Sequence, residues 1–239
     1  MKLGIMQPYF LPYIGYWQLI DAVDSYVIYD DVNYIKGGWI NRNRILVNGT
    51  AKYISLELQG ASPNKLINEI DLVPSNKSRL KLLKTIDQSY KRAPLYEEVY
   101  PIMEKIFLYK ETNLVKFIAH SLKVVCEYLH IDTKLYMSSE IEKNCDLKGQ
   151  DKVINICTNL NATTYINAIG GRELYSFSDF KRSGIELLFL QTSPKIMYSQ
   201  FADEFQPNLS ILDLMMMLSP EAINQLIKEY VLIGESENV

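Results

Sequence analysis

The sequence predicts an α/β protein with a mainly parallel sheet and helices on both faces. Short apolar runs alternate with helical patterns at both ends of the chain, which is typical of β-α-β units. The first unit comprises a strand at Lys2–Met6, a helix at Tyr13–Val23 and a strand at Ser25–Tyr29. Because such crossovers are right-handed and join parallel strands, we expect Lys2–Met6 to be central, with Ser25–Tyr29 beside it.

An inserted β-hairpin and a helical middle segment follow this opening unit. Arg44–Val47 and Lys52–Leu58 flank Asn48-Gly49, a pair suited to the positive φ angles of a type I′ turn. Residues 77–130 are predicted to be helical, because apolar residues recur there at spacings of three and four. We expect this segment either to cover the sheet or to form a subdomain.

The α/β alternation resumes after the helical segment. We predict strands at Lys134–Met137, Thr163–Ile166 and Ile185–Leu190, and helices at Gln150–Leu160, Leu209–Leu218 and Pro220–Tyr230. The last helix has a recognisable start, with Ser219 as its cap and Pro220 in the first turn. The pattern predicts one α/β domain over residues 1–239, with disorder confined to Gly234–Val239.

Composition and charge restrict the class of protein. With 239 residues and 48% hydrophobic content the chain can bury its own core. A net charge of −3 argues against general nucleic-acid binding, and no apolar run reaches the length of a membrane span. Cys126, Cys145 and Cys157 fit neither a disulfide framework nor a zinc site, so we expect reduced, mostly structural cysteines and a cytoplasmic location.

Common catalytic motifs are absent. The chain lacks G-x-G-x-x-G, G-x-x-x-x-G-K-[ST], G-x-S-x-G and H-E-x-x-H, and it contains only two histidines, His120 and His130. His120 projects away from the apolar stripe of its helix, so we expect it in solvent. We therefore predict no metal site and no histidine-based mechanism, and the cofactor stays undefined beyond a nucleotide or an acyl or aminoacyl donor.

A polar-aromatic block follows the first predicted strand. In Gln7–Gln18, two prolines stiffen the chain, Gly15 permits close backbone approach, and five aromatic rings offer stacking faces, four of them with polar tips. We predict that Gln7 positions the reacting groups and that the tyrosines bind substrate through their rings or hydroxyls; these are Tyr9, Tyr13 and Tyr16. The alternative is a tyrosine-rich core seam.

A second block follows the second strand. Ligands of parallel sheets gather at the carboxyl ends of strands, where Asp30 and Asp31 are candidates for a general base. Arg42 and Arg44 can each donate two parallel hydrogen bonds to a phosphate or a carboxylate. The remaining candidates of the block are the catalytic positioner Asn41 and the substrate-binding residues Asn33, Trp39 and Asn43. The alternative for the paired acids is a solvated turn or a helix cap.

A third block lies late in the chain. Gly170-Gly171 follows a strand and can present backbone amides to a phosphate, while Ser210 opens a helix whose amino terminus favours anions. Gln200 precedes this helix and is a candidate substrate contact. The alternative is a simple turn followed by a helix cap.

These blocks resemble the WbqC-like protein family. The matching runs are IMQPYFLPYIGYWQLI from Ile5, YDDVNY from Tyr29, WINRNRI from Trp39, YSQ from Tyr198 and FQPNLSILDL from Phe205, and the resemblance extends from Leu3 to about Leu218. It implies a place in bacterial surface-polysaccharide gene clusters, including those for O-antigen, that decorate amino sugars with acyl or aminoacyl groups.

A looser similarity is to the nucleotidylyl-transferase superfamily with the H-I-G-H motif. Tyr13-Ile14-Gly15-Tyr16 occupies the place of that motif after the first strand, with tyrosine at both histidine positions. This similarity implies a Rossmann-like sheet on which the original chemistry is altered or lost.

The combined expectation is an enzyme that attaches an acyl or aminoacyl group to the amine of a nucleotide-linked amino sugar. Asp30 or Asp31 would act as base, with Gln7 and Asn41 positioning the reactants. Two alternatives remain: a nucleotidylyl or adenylate-forming transferase, and a non-catalytic sugar-nucleotide-binding or scaffold protein. We further predict that one cleft is lined by Gln7, Tyr13, Asp30, Asp31, Asn41 and Arg42.

Overall fold

The computed structural model describes residues 1–235. The strands in this range are β1 (Lys2–Met6), β2 (Ser25–Ile28), β3 (Arg42–Val47), β4 (Thr50–Ser55), β5 (Leu58–Gln59), β6 (Asp71–Leu72), β7 (Lys134–Met137), β8 (Thr164–Ala168), β9 (Glu186–Thr192) and β10 (Tyr230–Ile233). The α-helices are α1 (Ile14–Asp21), α2 (Lys77–Tyr90), α3 (Tyr96–Phe107), α4 (Leu114–Leu129), α5 (Gly149–Asn159), α6 (Phe177–Arg182), α7 (Ile211–Met217) and α8 (Pro220–Ile227). Most of the stretch expected to be disordered, residues 236–239, lies outside the described residues.

A six-stranded sheet in the order β10-β9-β8-β1-β2-β7 forms the centre of the molecule. Its first five strands in chain order are parallel, and β1 lies between β2 and β8 with Leu3 opposite Ser25 and Tyr165. The predicted α/β class, the central position of β1 and its neighbour β2 are therefore confirmed. Both faces of the sheet carry helices, in agreement with the right-handed crossovers expected for parallel strands.

The antiparallel edge strand β10 was not predicted. The last helix ends at Ile227 instead of continuing to Tyr230, and the chain then pairs Tyr230–Ile233 with β9. Four residues are too few for a clear alternating pattern, and their partner strand lies about forty positions earlier in the chain. The strand thus depends on tertiary pairing more than on a local signal.

Alternation along the strands divides the core between the two faces. On one face Tyr26 and Ile28 of β2 pack with α1 residues such as Trp17 in the larger core cluster. Val27 points to the other face and packs with Phe180 of α6 and Ile156 of α5. Successive side chains of a strand point to opposite faces, so a single strand supplies both clusters.

The helical middle segment consists of three helices, α2, α3 and α4. Their buried residues belong to the same core cluster as the larger sheet face, and the Phe107 ring packs edge-on against Phe10 with centroids 5.7 Å apart. The predicted helical character is present, with breaks at residues 91–95 and 108–113. Of these helices, α4 lines the cleft described below, together with the segment that precedes it.

The inserted hairpin joins β3 and β4 through Asn48 and Gly49, whose φ angles are 51° and 72°. Both values are positive, as a type I′ turn requires. Pairing extends to Arg42 opposite Ser55, so β3 begins earlier than predicted, whereas β4 ends before the predicted Leu58. The buried Asn43, Ile45 and Ile54 share one face of the hairpin, and this leaves Arg42 and Arg44 on the other face.

Candidate functional site

The carboxyl-terminal edge of the parallel strands provides the candidate site. The chain moves from β1 to β2 and β7 on one side, and later adds β8 and β9 on the other, so strand order reverses at β1. Ligands of open α/β sheets bind outside the carboxyl ends of strands at such a switch point. The loops here are residues 7–13 after β1, 29–34 after β2, 138–140 after β7 and 169–174 after β8.

Side chains from distant segments hold the loop after β1. The Nδ2 of Asn43 donates to the carbonyl oxygens of Phe10 at 3.2 Å and Leu11 at 2.9 Å, and the Oγ of Ser210 donates to Leu11 at 2.7 Å. Leu11 has a φ angle of 41°, a left-handed conformation that is unfavourable for leucine. Asn43 and Ser210 are thus brought together where they support a strained backbone.

The tyrosines of this loop occupy different environments. Tyr16 is buried and its hydroxyl donates to the Gln7 carbonyl oxygen at 3.0 Å, whereas Gln7, Tyr9 and Tyr13 are half-buried. Burial raises the pKa of both Tyr9 and Tyr13, so their hydroxyls stay protonated and can donate hydrogen bonds at neutral pH. Part of the aromatic block is therefore core, and part lies at the sheet edge.

Gly15 permits a close approach by a side chain of the same protein. A Cβ atom at this position would lie 2.5 Å from Cε2 of Tyr13 and 2.7 Å from Oγ1 of Thr192. Thr192 ends β9, so the start of α1 meets the far side of the switch point here. The space that the glycine leaves is filled by the Tyr13 ring and Thr192.

The adjacent carboxylates Asp30 and Asp31 have separate partners. Asp30 is 1% exposed and accepts hydrogen bonds from the backbone N of Ser139 at 2.8 Å and its Oγ at 2.6 Å. A longer bond of 3.4 Å comes from Nδ2 of Asn68. The carboxylate is thus fixed in one orientation, at the wall of a cleft.

This cleft has a volume of about 430 Å³ and lies between the ends of β2 and β7 and the start of α4. Its lining mixes polar and apolar side chains, and three of the polar ones are carboxylates: Asp30, Glu111 and Glu140 with Asn68, Asn113, Ser139, Lys116 and the ring of Tyr109, beside Val115, Ala119 and Met137. Three carboxyl groups against one lysine give the cleft an attraction for cationic groups. Among the six residues predicted to share a cleft, Asp30 is the one that lines it.

His120 is not the solvated residue that its position on the helix predicted. Its ring stacks on Tyr109 with centroids 3.8 Å apart, and its Nε2 atom is buried without a hydrogen-bond partner among the described residues. The segment between α3 and α4 places Tyr109 over the polar side of α4, which the spacing of apolar residues alone does not reveal. The stacked pair supports the aromatic wall of the cleft.

Asp31 forms a buried cluster with two lysines. One carboxylate oxygen lies 2.9 Å from Nζ of Lys143 and 3.1 Å from Nζ of Lys152, and the two lysine side chains are only 2% and 10% exposed. Burial opposes ionisation, but the two lysines beside the carboxylate outweigh it and lower the pKa of Asp31. The sequence did not identify either lysine, because each stands alone more than 110 positions after Asp31.

The hairpin side chains of the second block have partners on the protein itself. Asn41 accepts a hydrogen bond from the Tyr34 hydroxyl at 2.9 Å and donates to the Leu56 carbonyl at 3.0 Å. Arg42 donates to the carbonyl oxygens of Gly37 and Gly38, and Arg44 donates to Pro207 at 3.2 Å. The exposed Asn33 donates to Pro63 at 2.7 Å, and Trp39 is partly exposed beside the arginines.

The third block is distributed over separate turns. Gly170 and Gly171 lie in a 3-10 turn directly after β8, where Gly170 borders open space and Gly171 approaches the side chain of Asn167. Gln200 bonds the backbone N and O of Gln206 at 2.8 and 3.1 Å. Ser210 donates to the Leu11 carbonyl oxygen and also caps the amino terminus of α7.

A buried carboxyl that the sequence did not single out lies beneath this region. Asp213 is fully buried and accepts hydrogen bonds from the hydroxyls of Tyr90 at 2.6 Å and Tyr198 at 2.7 Å. Burial raises its pKa, although these hydrogen bonds oppose the effect. The available signal was an acidic residue inside the apolar run of α7, which is rarely tolerated without partners.

Two further properties concern metal ions and membranes. Within residues 1–235, His, Cys, Asp and Glu side chains form no group of three or more that could hold a metal ion. None of the helices in the same range has the length and apolar character needed to cross a membrane. The described cysteines are free, with Cys126 and Cys157 buried and Cys145 exposed.

Comparison with known proteins places the chain in a family. A protein of Mycobacterium tuberculosis described as "Uncharacterized protein Rv1507c" is 29% identical over 228 residues, which cover 92% of this chain and 95% of that protein. No solved structure matches the chain. The family model described as "WbqC-like protein family" matches residues 7–225, a range that contains the loop after β1, both aspartates, the hairpin and α7. The chain therefore belongs to the WbqC-like protein family.

Proposed function

We propose that this protein acts in surface-polysaccharide biosynthesis, including that of O-antigen, by transferring an acyl or aminoacyl group to the amine of a nucleotide-linked amino sugar. The observation that carries the proposal is the acidic cleft at the carboxyl end of β2, into which Asp30 is fixed. Carboxylates and amides lining a concave site suit an ammonium group and sugar hydroxyls. The Tyr109 ring offers an apolar face for the sugar ring.

The proposed reaction needs an unprotonated amine. Its nitrogen attacks the carbonyl carbon of the donor, a C–N bond forms, the bond to the leaving group breaks, and the amine proton passes to a cleft carboxylate. Asp30 is better placed for this role than Asp31, because Asp31 is paired with Lys143 and Lys152. Gln7 and Asn41 stay predicted positioning residues outside the cleft lining.

The nucleotidylyl-transferase alternative receives no specific support from the geometry. In the looser similarity, Tyr13 and Tyr16 stand where histidines would contact phosphates. Tyr16 is buried in the core and its hydroxyl donates a hydrogen bond to the Gln7 carbonyl oxygen. The Tyr13 ring fills the space above Gly15. A phosphate would have to displace these contacts.

Thermal denaturation tests ligand binding directly. UDP-, dTDP- and GDP-linked amino sugars should each be compared with the same nucleotide sugar bearing a hydroxyl in place of the amine, and with ATP plus magnesium. A ligand at one hundred times its Kd stabilises the native state by about 2.7 kcal/mol, which raises the Tm of a domain this size by roughly 5–10 °C. We expect the amino form to give the larger shift. Shifts within about 1 °C for every amino sugar at millimolar concentration would contradict the proposal.

Mass spectrometry separates catalysis from binding alone. The best-binding amino sugar should be incubated with acyl-coenzyme A and aminoacyl donors, and the product examined for a new amide. We expect the amide with the wild type and with the exposed control Asp132→Asn, but not with Asp30→Asn. Tight binding without any amide from either donor class would instead identify a non-catalytic sugar-nucleotide-binding protein.

A further inference from the structure

The β3–β4 hairpin and the segment before it carry positive charge and no acidic side chain. Residues 32–56 contain Lys36, Arg42, Arg44 and Lys52 and no aspartate or glutamate, within a chain whose net charge is −3. Local positive potential in an otherwise acidic protein attracts anions to one surface. This part of the chain is therefore suited to an anionic ligand.

Two aromatic rings lie among these cations at the surface. Trp39 is 39% exposed and Tyr53 is 54% exposed, with ring centroids 6.1 Å apart and planes inclined by 32°. The guanidinium carbon of Arg42 lies 4.5 Å from the centre of the Tyr53 ring, and that of Arg44 lies 5.9 Å from the Trp39 ring. We call these four residues the arginine-aromatic platform.

The backbone explains why these four side chains meet. In β3, Arg42 and Arg44 are two positions apart and share a face, while Asn43 and Ile45 point inward. Tyr53 of β4 is the direct cross-strand partner of Arg44. The arginine side chains are partly ordered by carbonyl oxygens of the protein, so a ligand would meet a preformed surface and lose less side-chain entropy on binding.

The chemistry of the platform combines stacking with charge. Aromatic rings stack on nucleobases with little dependence on base identity, and guanidinium groups bind phosphate oxygens. Two adjacent rings are enough for one base, and the acidic remainder of the protein is unfavourable for a long polyanion. We propose that the arginine-aromatic platform binds the nucleoside diphosphate part of a ligand.

The platform is connected to the acidic cleft through a short segment. Asp30 lines the cleft and Tyr34 donates to Asn41 beside Arg42. Four residues of chain span no more than about 14 Å, which limits the distance between the Cα atoms of Asp30 and Tyr34. Under the proposed function, on which this step rests, the cleft would hold the amino sugar of the same ligand.

Titration calorimetry with UDP tests the platform by itself, because UDP has neither the sugar nor the amine. We expect the Trp39→Ala/Tyr53→Ala double variant to raise the Kd for UDP by about 5-fold to more than 100-fold, the range for loss of base stacking. Tyr136→Ala removes a ring that is 39% exposed on β7, outside the hairpin, and should leave the Kd unchanged. The Tm of each variant verifies that the protein remains folded.

Uridine and added salt separate the contribution of base stacking from that of phosphate binding. Uridine should bind more weakly than UDP, and added salt should weaken UDP binding more than uridine binding, because salt screens the phosphate–arginine attraction. Unchanged UDP affinity in the double variant, no UDP binding at millimolar concentration, or tighter binding of a single-stranded oligonucleotide than of UDP would each overturn the inference. UDP binding that depends on the platform, without amide formation, would contradict only the proposed transfer reaction.

Discussion

Asp31, Lys143 and Lys152 place one negative and two positive charges in a largely buried position next to the candidate site. Buried ion pairs add little stability over an apolar replacement, but removal of one partner leaves the other charges uncompensated. The cluster also fixes the backbone that follows β2, since Nζ of Lys152 donates to the Asp31 carbonyl oxygen at 2.8 Å. Asp30, on the same backbone, is thereby held at the cleft.

We predict that Asp31→Asn lowers the free energy of unfolding by about 3–5 kcal/mol at pH 7, because two buried lysines lose their carboxylate. Urea denaturation measures this change. The control is the exposed Asp132→Asn variant, whose free energy of unfolding should stay within about 0.5 kcal/mol of the wild-type value. The pKa of Asp31 is lowered from 3.8, so the stabilisation is present above that pH and declines as the pH falls through the lowered pKa. A loss below 1 kcal/mol would show that the lysines find other partners.

For Asp213 we predict the opposite dependence of stability on pH. Burial raises its pKa above 3.8, so the folded state prefers the protonated form. Its contribution to stability is fully present below pH 3.8 and is lost as the pH rises through the raised value. We therefore expect the wild type to lose stability relative to Asp213→Asn between pH 4 and pH 7. Urea denaturation at several pH values measures this, and a constant difference between the two proteins would contradict the raised pKa.

At the scale of elements, the loop after β1 depends on contacts from three other parts of the chain. Asn43 of β3 and Ser210 before α7 bond its carbonyl oxygens, and Thr192 at the end of β9 approaches Gly15. The bonds from Asn43 and Ser210 to its carbonyl oxygen help to hold Leu11 in its left-handed conformation. The loop is consequently positioned with the precision that a binding site requires.

We predict that Gly15→Ala destabilises the protein by about 1–3 kcal/mol, because the new methyl group would overlap the Tyr13 ring and Thr192. Gly170→Ala is the matched control, since a Cβ there has no neighbour within 4 Å and the change should stay within about 1 kcal/mol. Urea denaturation of both variants measures the difference. Equal stability would mean that Tyr13 moves away at no cost.

At the scale of the whole molecule, the two core clusters lie on opposite faces of one sheet. Strands β1 and β2 contribute residues to both clusters, and the helices of the middle segment share the larger one. This arrangement favours a single cooperative unit, because neither cluster can lose its strands without disrupting the other.

We predict one unfolding transition in urea. In the Trp39→Phe variant, Trp17 is the sole tryptophan and reports the buried face of the sheet. Its fluorescence should change at the same urea concentration as the far-UV circular dichroism, which is dominated by the helices. Separate midpoints would indicate that the middle helices unfold as an independent subdomain.

Local sequence signals determined much of this architecture. The β1–α1–β2 unit, the Asn48-Gly49 hairpin turn and the helices of the middle segment follow from periodicity and turn chemistry that involve neighbouring residues. The polar blocks also indicated that loops at the carboxyl edge of the sheet concentrate unusual side chains. The edge strand β10 lacked such a signal, since it exists through pairing with β9.

Tertiary structure alone decided which polar residues face each other. Asp30 and Asp31 are adjacent in sequence, yet one lines the acidic cleft and the other pairs with Lys143 and Lys152. Successive side chains of an extended chain point in different directions, and the partners Ser139, Lys143 and Lys152 come from segments more than one hundred residues away. Composition and periodicity therefore determined most of the fold and the edge that carries the candidate site, whereas long-range packing placed β10 and decided which side chains stay available to a ligand.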